Sequence, residues 1–124
     1  MRTLFVVLSL LHVPFLISYI EYYNRFYGEL PLSLGGAPFV IHIGVAVVIG
    51  IVSARVSLRL FLIVNLSLLL SHVLLAQGLV AEEHAYWFKP FGPTWTIFLS
   101  ASFYFAVQGL ARWGALVTKK GLQV

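Results

Sequence analysis

The sequence has no cysteine and no aspartate, and its 124 residues include only eight Lys/Arg and four acids, all glutamate. Without cysteine there are no disulfides, thiolate-bound zinc, iron–sulfur clusters or thiol catalysis. Without aspartate there is no Ser–His–Asp set. The Gly35-Gly36 pair precedes an apolar run and has no Lys-Ser/Thr after it, so it is not a phosphate loop. No two histidines have the His-x-x-x-His spacing of a helical zinc site. The basic residues are scattered, with only Lys119 and Lys120 adjacent, so there is no nucleic-acid stripe. No soluble catalytic constellation exists; an enzyme site would have to lie within a membrane or be shared with another chain.

What the chain does have is apolar mass. Sixty per cent of its residues are hydrophobic and 10% charged, and the mean hydropathy is +0.96. Soluble domains run at about 45–50% apolar and about 25% charged. A chain this short cannot hide such an excess in its own interior. The composition therefore reads as one integral membrane domain over residues 1–124.

A helix rises about 1.5 Å per residue, so a hydrocarbon core of about 30 Å takes about 20 apolar residues. Four stretches qualify: 4–23, 37–54 (short and rich in small residues), 60–79 and 93–111. The expected fold is all-α, an up-down bundle of four transmembrane helices. The first stretch follows Arg2 but meets no small-x-small cleavage site, so it is expected to stay as an anchor. Pro90 and Pro93 mark residues 81–92 as a loop along the surface.

The charges sort by side. Arg2, Arg55, Arg59, Arg112, Lys119 and Lys120 fall on one side with no acid. Arg25 and Lys89 fall on the other with Glu21, Glu29, Glu82 and Glu83. Basic excess marks the cytoplasm, so both termini are expected inside, in a multi-pass protein of the cell (inner) membrane. Aromatic rings crowd the outer ends. Tyr22, Tyr23, Phe26, Tyr27, Tyr86, Trp87 and Phe88 read as an interfacial belt or as a contact surface for a partner or lipid.

Within the spans, polar and small residues form stripes. His42, Ala46, Gly50 and Ala54 recur every four residues, a small-residue face for close helix packing within the chain or against a second copy. Thr96, Ser100, Tyr104, Gln108 and Arg112 recur likewise. Ser9, His12 and Tyr19 share a face of the first span. Asn65 and Gln108 lie at similar depth and are expected to hydrogen-bond. These stripes read as a hydrogen-bonded core, or as a path for protons, ions or a ligand. His42 and His72 sit at matched depth, which suits a bis-His haem b or a quinone contact, although no cofactor is required. Glu82, Glu83 and His84 read as a solvated loop. Glu21 is the one acid inside or bordering a span; at the end of the first span it is expected to face headgroup water, with proton coupling as the alternative.

The leading functional expectation is an interaction protein: an accessory subunit of a membrane assembly, or a homo-oligomer. One alternative is a small proton-coupled transporter or channel using His12, Glu21, Asn65, Ser100, Tyr104 and Gln108. Another is a redox-complex subunit contacting haem b or quinone through His42 and His72.

Overall fold

The computed structural model describes residues 1–28 and 37–122, and these are mostly helical, with no strand among them. Five α-helices follow in order: α1 (Arg2–Ser9), α2 (Val13–Tyr27), α3 (Pro38–Ser53), α4 (Leu58–Leu79) and α5 (Gly92–Gly121). A 3₁₀ segment, Glu82–Phe88, lies between the last two. The expected outer charge Glu29 and the Gly35-Gly36 pair lie outside the described residues.

The first stretch is not one helix. Pro14 has no N–H, and its ring crowds the carbonyl four residues back, that of Leu10. The ladder breaks there. His12 turns into the left-handed region (φ 47, ψ 42) and α2 starts anew behind it. The freed Leu10 carbonyl still finds a donor, the Nδ1–H of His12 at 2.7 Å. The proline thus creates the vacancy and the neighbouring histidine fills it.

The α3–α4 turn is tight. Ser57 caps α4 by accepting the Leu60 N–H at 3.2 Å, as a helix-starting serine does. Past the 3₁₀ segment, Gly92 takes φ 80 and Pro93 occupies the first turn of α5, where a missing N–H costs nothing. Residues 81–92 are therefore not a plain loop. At its other end α5 runs ten residues beyond the expected 111, to Gly121.

α5 packs most extensively on α3, and also against α4 and α2, while α1 and α2 each pack on both α3 and α4. Phe5 meets Phe61 with ring centroids 6.1 Å apart, and Arg112 reaches Ser53 and Val56. The start of α1, the α3–α4 turn and the later part of α5 therefore share one end. Tyr22, His84 and Phe88 meet at the other.

Among the described residues the core is apolar, with fourteen buried hydrophobics, but it also holds polar groups, and the outside is strongly apolar. Ser9, His42, Ser53, Asn65, His72, Gln108 and Arg112 are buried, while Val48, Leu66, Leu70, Leu74, Phe103 and Leu110 are exposed. Two helical stretches are long and apolar enough to cross a membrane: Arg2–Tyr27 taken through the break, and Leu58–Leu79. α3 is apolar but shorter.

Candidate functional site: a polar interior

Most of the ladder of small residues on α3 packs within the chain. Ala46 and Gly50 are buried, and a Cβ placed on Gly50 would lie 2.5 Å from the Gln108 carbonyl oxygen and 2.7 Å from the Ala111 Cβ. Backbone meets backbone here, which only glycine permits. At Ala46 and Gly50 the face is α3 against α5, while Ala54 at the end of the ladder is only half-buried.

One helical turn on from the ladder, Arg112 closes the end of α3. Its guanidinium donates to the Ser53 carbonyl and, at 2.9 Å, to the Val56 carbonyl. It also lies 5.3 Å from the centre of the Phe61 ring. The last carbonyls of a helix lack intrahelical donors and carry the negative end of its dipole. A forked cation answers both needs. Sequence reasoning counted Arg112 among the basic residues of one side and also placed it on the stripe with Tyr104 and Gln108. That four-residue stripe was the signal that it points inward.

The histidines pair differently from the sequence expectation. His72 has His12 as its ring neighbour, with centroids 4.9 Å apart. His42 instead stands edge-on to Tyr104 at 5.0 Å and beside Phe103 at 5.9 Å.

Donor counting fixes much of the chemistry. The His72 Nδ1–H donates to the Leu68 carbonyl at 2.7 Å. Carbonyls only accept, so in neutral His12 and His72 each Nδ1 carries the proton and each Nε2 is an acceptor. The His12 Nε2 lies 2.7 Å from the Ser71 hydroxyl oxygen, which is itself 2.8 Å from the Leu68 carbonyl. With neutral His12, the hydroxyl donates to Nε2. With protonated His12, Nε2–H donates to the hydroxyl, which turns to Leu68. The geometry serves either state.

Further in, partners run out. His42 Nε2, His72 Nε2 and both amide atoms of Gln108 are buried without a hydrogen bond. Asn65 does not meet Gln108; its amide donates to the Phe61 carbonyl of its own helix at 3.0 Å. A small cavity lies among Ser9, His12, Asn65, His72, Ala101 and Tyr104, with a volume of about 10 Å³. A water needs roughly 10–15 Å³ on this measure. A drug-sized or larger ligand needs about 300 Å³ or more, so a haem between His42 and His72 would require the helices to part.

The remaining expected residues lie outside this interior. Ser100 is half-buried on α5. Glu21 is exposed at the far end, beside a surface hollow of about 190 Å³ that Ser18, Lys89 and Thr96 also line. The outer rings are in large part packed on one another. Tyr22 and Phe88 are buried, and Tyr22 hydrogen-bonds with His84 Nδ1 at 2.7 Å. His84 also stacks on Phe26 with centroids 3.9 Å apart. Glu82 and Glu83 are exposed as expected, but His84 is not a solvated loop residue: its side chain is 18% accessible. Tyr22 and Phe88 thus drop out as contact surface, while Tyr27 and Tyr86 remain exposed.

No family model, curated protein or solved structure matches the chain.

Proposed function

We propose that the chain is a membrane-embedded bundle of four spans, the α1–α2 stretch, α3, α4 and α5, that works as an accessory or interaction subunit. The observation that carries the membrane reading is an apolar outside around an interior that also holds polar groups: seven polar or charged residues are buried among the core hydrophobics, while a broad surface of Leu, Ile, Val and Phe side chains is exposed. In water that arrangement exposes apolar surface and desolvates polar groups, both unfavourable. In hydrocarbon both terms reverse, and polar side chains turn inward. α3 is short for a span, at about 24 Å from its 16 residues, a mismatch that local thinning accommodates. The separation of charge by end supports cytoplasmic termini in a multi-pass protein of the cell membrane.

The subunit role follows from where binding space lies. Among the described residues the interior encloses about 10 Å³, while roomier hollows open on the outside. Recognition therefore takes place on the outer surface. Native mass spectrometry of gently solubilised protein tests this. A reproducible partner or a homo-oligomer is expected; a strict monomer that co-purifies with no protein overturns it.

The unpartnered acceptors around Tyr104 favour a second reading, a proton path through His12, Ser71 and His72. Proteoliposomes with an internal pH dye are the test. Proton flux that survives His12→Ala combined with Glu21→Gln removes this reading.

A further inference from the structure

The basic end of the bundle carries a groove of about 770 Å³ between the last turns of α3 and the C-terminal third of α5. That volume is within the usual range of roughly 300–1,000 Å³ for small-molecule sites. Ala54, Ala111, Gly114 and Ala115 line it together with Val47 and Ile51. The small side chains leave a furrow. There is room beside Gly114, where a Cβ meets nothing within 4 Å.

Arg55 and Lys119 also line this groove, and both are exposed. Arg59, Lys120 and Arg112 belong to the same end, whereas the described acids Glu21, Glu82 and Glu83 belong to the other. The Arg112 charge is met by backbone carbonyls rather than by a carboxylate. An apolar furrow under two free cations, at an end with no described acid, matches an amphiphilic anion. A second copy seated here about a two-fold axis would bring like charges together.

We propose that this groove binds an anionic phospholipid, one acyl chain lying along the small residues that line it and the phosphate held between Arg55 and Lys119. The proposal rests on the membrane reading above. Basic pockets between spans on the cytoplasmic side recognise headgroups through this same combination of charge and depth.

The test is native mass spectrometry of protein purified in a neutral detergent and titrated with phosphatidylglycerol or phosphatidylcholine of identical chains. Phosphatidylglycerol is expected to be retained at least tenfold more tightly. Each basic side chain near an anionic headgroup is worth about fivefold. Arg55→Gln with Lys119→Gln should therefore weaken phosphatidylglycerol about 25-fold and phosphatidylcholine, whose choline offsets its phosphate charge, much less. Gly114→Leu, which fills the furrow, should weaken both lipids. Inorganic phosphate should not compete. Equal retention of the two lipids, an unaffected double variant, wild-type binding by Gly114→Leu, or displacement by phosphate each overturns the proposal. The double variant alters two exposed side chains, so its result stands even if Gly114→Leu fails to fold. A chain that stays soluble without detergent overturns the membrane reading itself. Equal retention of both lipids by a detergent-requiring protein overturns the groove alone.

Discussion

Replacing Gly50 by alanine should drive α3 and α5 apart. The new Cβ would sit 2.5 Å from the Gln108 carbonyl oxygen, 2.7 Å from the Ala111 Cβ and 3.1 Å from the Gln108 Cα. Two of those three atoms are backbone, which no rotamer change can move. A carbon–oxygen contact settles at about 3.3–3.6 Å, so the helices must separate by roughly 1 Å along this line. Overpacking of that kind costs about 1–3 kcal/mol. It works against the intrinsic gain of about 1 kcal/mol for alanine over glycine in a helix. Gly44, on the same helix, supplies the control, because a Cβ there meets nothing within 4 Å and Gly44→Ala collects only the gain. The difference between the two variants isolates the clash. In thermal unfolding under one detergent, Gly50→Ala should melt about 5–10 °C below Gly44→Ala. If both variants melt together, the close approach of α3 and α5 at Gly50 is wrong.

Three further outcomes follow from the same interior. Arg112→Met removes two donors from the Ser53 and Val56 carbonyls and should cost about 2–4 kcal/mol in denaturant unfolding. Arg112→Lys should recover less than half, since a point donor does not bridge two carbonyls; full recovery by lysine contradicts the forked contact. Tyr22→Phe keeps the ring cluster but loses the bonds to His84 and the Ala81 N–H, a loss of about 1–3 kcal/mol. Tyr22→Ala empties the cluster and should cost about 3–5 kcal/mol; equal melts for the two would show that the ring is not packed. Gln108→Met replaces an amide with no partner at either end and should leave stability unchanged or raise it by about 1–2 kcal/mol. A drop of more than about 1 kcal/mol would mean that the amide is bonded after all.

The helical content and the approximate position of each helix were legible because long apolar runs and prolines act locally. Pro38 and Pro93 mark helix starts, and Ser57 marks another. The α1–α2 break was equally written in the sequence, at Pro14, but hydropathy averages over it. Only the left-handed turn at His12 shows that the histidine side chain replaces the missing donor. Four-residue spacing likewise pointed Tyr104, Gln108 and Arg112 inward together, without saying what each would meet.

What the sequence determined by itself is composition, periodicity and the sorting of charge, since these depend on residue type and on the fixed pitch of a helix. Tertiary structure alone decided the partners. His72 faces His12 rather than His42, and Asn65 bonds its own helix rather than Gln108. The ladder as far as Gly50 packs on α5, and four of the six other outer rings pack on Tyr22. The reason is geometric. A stripe fixes which way a side chain points along its own helix. Which stripe it meets depends on the rotation and offset of a second helix, and no local pattern encodes those.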